Sequence, residues 1–200
     1  MKLLFFVFIF LDVSFIFGKR SIFQILTGEK WLKVCEQKQG NWQKPQEFSN
    51  GSYACGVKVI NENPEVDSSI NGISFLICSQ KTKNEAWKKI IGSDWGNWKK
   101  EAKCPAANYI AGFQVKVANF KWDTNASWDG LKILCQPSNT WIIAEDGKTG
   151  KWQKPVVFSS KKVCGVQVKT QPAGRHYNIF WNSIHFTDDG LNGLNVKLCI

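Results

Sequence analysis

The sequence predicts an all-β protein, a β-prism of three four-stranded Greek-key-like sheets with internal pseudo-threefold symmetry. Three observations carry that expectation. Six of the ten tryptophans fall into three pairs at one spacing, each pair is followed by an alternating segment opened by glycine, and each of those leads to a closing run that ends in cysteine. The apolar period throughout is two, the signature of half-buried strands, with no convincing helical pattern.

The elements recur in order. Trp31 and Trp42, Trp87 and Trp98, and Trp141 and Trp152 are each 11 residues apart, and the second always follows Gly-x: Gly40-Asn41-Trp42, Gly96-Asn97-Trp98, Gly150-Lys151-Trp152. The alternating segments are Gly56-Val57-Lys58-Val59, Gly112-Phe113-Gln114-Val115-Lys116-Val117 and Gly165-Val166-Gln167-Val168-Lys169. The closing strands run from Ile70-Asn71-Gly72-Ile73 to Cys78, from Trp128-Asp129-Gly130-Leu131 to Cys135, and from Leu191-Asn192-Gly193-Leu194 to Cys199. Their inward set is Ile73, Phe75 and Ile77, then Leu131 and Ile133, then Leu194, Val196 and Leu198. Repeat units therefore span about 31–86, 87–140 and 141–200. A unit of four short strands cannot bury its apolar face alone, so three must pack together, and three sheets about a pseudo-threefold axis close the arrangement. Being repeated, the six paired tryptophans are assigned to the core.

Residues 1–18 stand apart. Lys2 precedes an apolar stretch from Leu3 to Phe17 closed by Gly18, the pattern of a secretory signal peptide, and Asp12 interrupts a stretch too short for the roughly 20 residues that span a bilayer. Residues 19–200 are then expected outside the cell as one domain with no membrane span. In that oxidising setting seven cysteines read as disulfide partners with one left over. Asn50-Gly51-Ser52 and Asn125-Ala126-Ser127 fit the N-glycosylation acceptor pattern. A net charge of +10 attracts polyanions, and secretion turns that attraction from nucleic acid toward acidic glycans or glycoproteins of an extracellular coat. A lysine-rich face serving solubility alone is the plainer alternative.

At these same residues, from about Trp31 to Cys199, the chain resembles the vitelline membrane outer layer protein 1 family. The most specific stretches are Trp95-Gly96-Asn97-Trp98 followed by Cys104-Pro105, Ala111-Gly112-Phe113-Gln114-Val115-Lys116-Val117, and Asp188-Asp189-Gly190-Leu191-Asn192-Gly193 leading to Cys199. The resemblance implies a secreted, disulfide-bonded, three-sheet β-prism laid down in an outer egg coat. For some members it also implies oligosaccharide binding and weak transferase-like action on N-acetylglucosamine oligomers. It pairs Cys104 with Cys135, and analogy between units extends this to Cys55 with Cys78 and Cys164 with Cys199. Strand alternation puts Cys55 and Cys164 inward but Cys78 and Cys199 outward, so those two bonds need a bulge or another pairing. Cys35 has Ile91 and Glu145 as counterparts, leaving a buried thiol and a partner-linked one both open. The chain departs from the family pattern at Phe48-Ser49, where a cysteine is expected, and at Val66-Asp67 and Thr124-Asn125, where an acidic pair is only partly present.

Glycoside chemistry needs two carboxyl groups roughly 5 to 10 Å apart with one pKa raised. Asp67, Asp123, Asp129, Asp188 and Asp189 lie before or at the closing strands, and Asp67, Asp188 and Asp189 are the catalytic candidates; the bland reading is that such residues make turns. For sugar stacking the candidates are Trp122, Tyr177 and Trp181 in the loops where the copies differ, whereas Trp128 stands where Ile70 and Leu191 do and reads as packing. His176 and His185 belong to a third-unit insertion and read as surface residues. No cysteine or histidine spacing supports a metal site, and no cofactor is implied. The reading is a secreted structural or interaction protein of an extracellular coat, a rigid, disulfide-braced, basic scaffold binding glycans or glycoproteins. A lectin-like module is the alternative, and a weak glycan transferase or hydrolase the third.

Overall fold

The computed structural model describes residues 30–61, 70–92, 96–119, 126–171, 174–178, 183–187 and 190–200. The signal-peptide assignment, Asp67, Asp123, Asp188, Asp189, Trp122, Trp181 and Asn125 lie outside them, and Tyr177 is described by its backbone alone.

Each glycine-opened segment and its closing run form a long antiparallel pair: β4 (Ser52–Asn61) with β5 (Ile70–Ser79), β9 (Tyr109–Asn119) with β10 (Ala126–Gln136), and β14 (Lys162–Gln171) with β17 (Gly190–Cys199). The closing strand of each pair is flanked by the strand of a first Trp: β6 (Glu85–Gly92), β11 (Thr140–Asp146) and β1 (Lys30–Glu36). The opposite edge carries two short strands in line: β7 (Asn97–Trp98) and β8 (Ala102–Lys103), β12 (Lys151–Trp152) and β13 (Val156–Val157), or β2 (Asn41–Trp42) and β3 (Gln46–Glu47). The result is a β-prism of three antiparallel sheets, each four strands wide. A copy of the sequence is not a sheet, however. The flanking strands belong to the next copy, and the third sheet is completed by β1, β2 and β3 from the first. A separate hairpin, β15 (Gly174–Asn178) with β16 (Ser183–Thr187), stands in the third-unit insertion.

The inner faces form one core. Val57, Val59, Ile73, Phe75, Phe113, Val115, Leu131, Ile133, Val166, Val168, Leu194 and Val196 are buried in it, while Ile77 packs against it. Ile70, Trp128 and Leu191, at equivalent positions in the three closing strands, are each fully buried. Phe113 meets Phe75 edge-on at 6.2 Å and Phe158 at 6.0 Å between ring centroids.

Two bulges recur in every long pair. Asn71, Asp129 and Asn192 are extra residues where the register slips beside the Asn-Gly or Asp-Gly step, and all three side chains are buried. Cys55, Ala111 and Cys164 are the extra residues at the other end. A bulge flips the alternation, and this turns Cys55 outward, where it joins Cys78 in a disulfide packed with Leu76, Tyr53 and Trp87 on the outer face. Cys135 is one register position short of Cys78, so it points inward and bonds Cys104, which follows β8 in the neighbouring sheet. That bond staples two sheets. Its threefold equivalents show why the other copies do without it: the amides of Phe48, Cys104 and Phe158 donate to the carbonyls of Cys164, Cys55 and Ala111 at 2.7–2.8 Å, so Phe48 and Phe158 stand in the place of Cys104 and bring apolar rings instead. Cys164 and Cys199 share the register of Cys55 and Cys78, but here the structure departs from the expected bond. Their Sγ–H groups donate to the main-chain carbonyls of Lys197 and Lys162 at 3.6 and 3.7 Å. Cys35 packs against the core as a thiol, pushed up in pKa mainly by burial.

The paired tryptophans are the main correction. None of the six is buried; Trp98 is 41% and Trp141 38% exposed, and the others are half-buried. They sit on edge strands at outward positions, Trp31 alternating with inward Leu32 and Trp141 with inward Ile142. In two of the pairs the second ring lies across a glycine of the closing strand of its own sheet: a Cβ at Gly193 would come within 3.0 Å of Trp42 Cη2, and one at Gly130 within 3.1 Å of Trp152 Cη2. The repeated spacing therefore specifies an outer face rather than the core.

Candidate functional site

Each outer face carries a tryptophan with a lysine over its ring and a carboxylate holding the lysine. On the β4–β5 sheet, Lys58 Nζ lies 4.5 Å from the Trp87 ring centre and 5.3 Å from that of Trp98, with Glu101 at 3.8 Å. On the β9–β10 sheet, Lys132 and Lys116 lie 3.9 and 5.8 Å from Trp152, and Lys116 pairs with Asp146 at 3.1 Å. On the β14–β17 sheet, Lys169 lies 6.0 Å from Trp42, pairs with Glu36 at 3.1 Å and donates to the carbonyls of Gln37 and Lys38 at 2.8 and 3.2 Å. The bonds from Lys33 first and Lys169 second hold the Glu36 carboxyl down at about 2. Side-chain amides line the same faces, Asn195 donating to Gln167 at 3.1 Å and Gln167 to the Gln43 carbonyl at 3.0 Å.

Such a surface combines an aromatic plane with fixed cations, carboxylates and amides. Sugar rings stack on the plane through their C–H faces while the polar neighbours exchange hydrogen bonds with hydroxyls. Cations over the rings contribute about 0.5–2 kcal/mol each and hold the indoles in one orientation. Trp98 and Trp141, the most exposed of the six, were not among the stacking candidates because recurrence was equated with burial. The alternation of Trp141 with Ile142 was the signal available.

Of the aspartates singled out, Asp129 is within the described residues and is fully buried. Its Oδ2 accepts bonds from the Thr149 amide and hydroxyl at 2.6 and 3.0 Å, and its carbonyl accepts one from the Gly147 amide at 3.0 Å. It ties down the turn ahead of Trp152, as the bland reading of these residues holds. Glu145 nearby is raised in pKa, chiefly by burial. At the opposite end of the prism, Lys162 Nζ lies 5.0 and 5.5 Å from the rings of Tyr53 and Tyr109, which stand at its equivalent positions in the other copies. A cavity of about 130 Å³ there is lined by Glu47, Tyr53, Lys162, Lys197 and the exposed turn residue Asn50.

The family model described as "Vitelline membrane outer layer protein I" matches residues 32–200. A mouse protein named vitelline membrane outer layer protein 1 homolog is 26% identical over 179 residues, covering 82% of this chain and 81% of that protein. The human protein of the same name is 23% identical over 168 residues, covering 77% and 75%. Among solved structures, artocarpin in complex with mannopentose superposes with a TM-score of 0.59 at 7% identity, covering 87% of this chain and 99% of that one. Calsepa lectin in complex with a biantennary N-glycan gives 0.58 at 6%, covering 85% and 95%. The mannose-binding jacalin-related lectin of Ananas comosus gives 0.55 at 9%, covering 86% and 99%. At these identities the structural likeness is one of fold.

Proposed function

The chain belongs to the vitelline membrane outer layer protein I family, and on that footing we propose that it is an extracellular coat protein that binds glycans through the outer faces of its three sheets. The observation that carries this reading is the Trp–Lys–carboxylate group on each face. Three such faces on one rigid prism make the protein multivalent, and a multivalent binder cross-links the chains it holds, gaining avidity without new contacts. Coat scaffold and glycan binder are thus one function. The fold shared with lectins crystallised with mannose oligosaccharides and an N-glycan supports the same reading. The net charge of +10 favours acidic glycans and glycoproteins as partners. The two disulfides and seven cysteines suit the outside of a cell.

A glycan array followed by turbidity titration against a multiply glycosylated acidic glycoprotein tests it. Binding and cross-linking are expected, weakening with salt as screening shortens to about 10 Å at 0.1 M. Trp98→Ala with Trp141→Ala is expected to lower both while leaving the fold intact. Binding unchanged in that variant would refute the assignment to these faces.

A further inference from the structure

At the cysteine end of the long strand pairs the third sheet departs twice from the other two. Tyr53, Tyr109 and Lys162 are equivalent residues near the starts of β4, β9 and β14, opposite Cys78, Gln136 and Cys199. Leu76, Leu134 and Lys197 are equivalent in β5, β10 and β17, opposite Gly56, Gly112 and Gly165. The first sheet uses its pair for an apolar cluster, Tyr53 and Leu76 packing with the Cys55–Cys78 disulfide. The third sheet has lysine at both positions, and both lysines line the cavity of about 130 Å³. Placing cations where the frame otherwise packs apolar groups is costly unless something pairs with them.

Lys197 is 8% exposed, and Glu47 meets its charge at 2.7 Å. Lys162 is half-buried over the rings of Tyr53 and Tyr109, and among the described residues no side-chain carboxylate lies within ion-pair distance of it. Lys58, Lys116 and Lys169 on the outer faces each have one. Ring faces orient an ammonium without neutralising it, so Lys162 keeps donors for an anion. A carboxylate there makes charge-assisted hydrogen bonds, roughly twice as strong as neutral ones. The remaining walls include the Tyr53 ring, the Ser49 hydroxyl and the Gln80 amide, an apolar plane with polar groups that suit sugar hydroxyls. We propose that the cavity is a fourth glycan site, taking one acidic sugar residue whose carboxylate is held by Lys162. Its volume is about four times the liquid share of one water, about 30 Å³, which suits a terminal residue rather than a chain. That a sugar carries the anion rests on the glycan-binding reading above; that an anion binds does not.

Chemical-shift titration of the full chain with methyl glucuronide tests the proposal, with methyl glucoside as the uncharged match and inorganic sulfate as the anion alone. Asn50 lines the rim and fits the N-glycosylation pattern, so the titrations use an Asn50→Gln background, in which no attached glycan can fill the cavity. Saturable shifts are expected at Tyr53, Lys162 and Lys197, with the glucoside and sulfate each about tenfold weaker than the glucuronide. Lys162→Gln should lower glucuronide affinity to the glucoside level, and Lys162→Arg should restore most of it. Lys162→Tyr, which installs the residue of the other two copies, should abolish the preference for the acid with the fold kept. The indole signals of Trp98 and Trp141 report the outer faces in the same spectra, so failure of the cavity and failure of the faces are seen separately. Glucuronide shifts that are absent, matched by the glucoside or by sulfate, or undiminished in Lys162→Gln would overturn the proposal.

Discussion

The glycine of each Gly-x-Trp turn adopts a left-handed backbone, and at Gly40 and Gly150 a close approach to the neighbouring strand adds a second demand. Gly40, Gly96 and Gly150 have φ of +91°, +96° and +80°, and a Cβ at Gly150 would stand 2.3 Å from the Val117 carbonyl oxygen. Gly150→Ala should therefore cost about 2 kcal/mol or more, from backbone strain with a clash added, measurable by denaturant unfolding. An equally exposed substitution such as Lys151→Ala is the comparison, expected within about 0.5 kcal/mol of the parent. Glu36 makes a second residue-scale prediction. Its carboxyl is held at about 2 when folded against an ordinary value near 4.3, so its pairing with Lys33 and Lys169 stabilises the protein above that ordinary value and is lost as pH falls toward 2. The melting temperatures of Glu36→Gln and the parent should differ by a constant amount above about pH 5 and converge below it. A gap that stays open at pH 2 would mean the carboxylate charge is not what stabilises.

At the scale of elements, the bulges decide what could be read in advance. Strand alternation was legible wherever the register is unbroken: Ile73 and Phe75, Leu131 and Ile133, and Leu194 and Val196 all face the core. It failed where one extra residue reverses the faces. Cys55 and Cys164 are bulged, and Cys78 and Cys135 end their strands one register position apart, so three similar-looking cysteine pairs divide into an outer type and a core staple. The tryptophans were legible as a repeat, yet repetition alone does not say which side of the sheet is being specified. The binding-site candidates chosen for variability fall largely outside the described residues, whereas the outer-face tryptophans emerge from edge-strand geometry. The two disulfides close loops with sequence separations of 23 and 31, and the entropy model gives each about 3.5 kcal/mol, differing by only about 0.3. Position separates them further. Losing Cys104–Cys135 also removes packing between sheets, so Cys104→Ala with Cys135→Ala should lower the unfolding free energy by more than Cys55→Ala with Cys78→Ala does. Equal losses would show the staple to be entropic only.

On the scale of the molecule, the interlocking of copies makes the prism a ring in which the chain has no privileged starting point. The closing strand of one sheet leads into the flanking strand of the same sheet by residues 80–84 between β5 and β6, and by residues 137–139 between β10 and β11. The third such junction is open: β17 and β1 pair side by side, with Lys30 opposite Leu198, yet they lie at opposite ends of the described sequence. Removing β1 to β3 would strip both flanks from the β14–β17 sheet and expose its inner edge, so the first strands are needed by the last. If the ring rather than the order of synthesis holds the fold, the open junction can be exchanged for a closed one. A circular permutant with Ile200 joined to Lys30 by about five flexible residues and new termini within residues 80–84 should fold to the same prism. Loop closure depends only weakly on length, about 0.6 kcal/mol per doubling, so its stability should lie within about 2 kcal/mol of the parent chain over residues 30–200. Circular dichroism, denaturant unfolding and disulfide mapping read the outcome. A cooperative transition with Cys55–Cys78 and Cys104–Cys135 intact would establish cyclic equivalence, and loss of either bond or of cooperativity would show that the first sheet must form before the others can close.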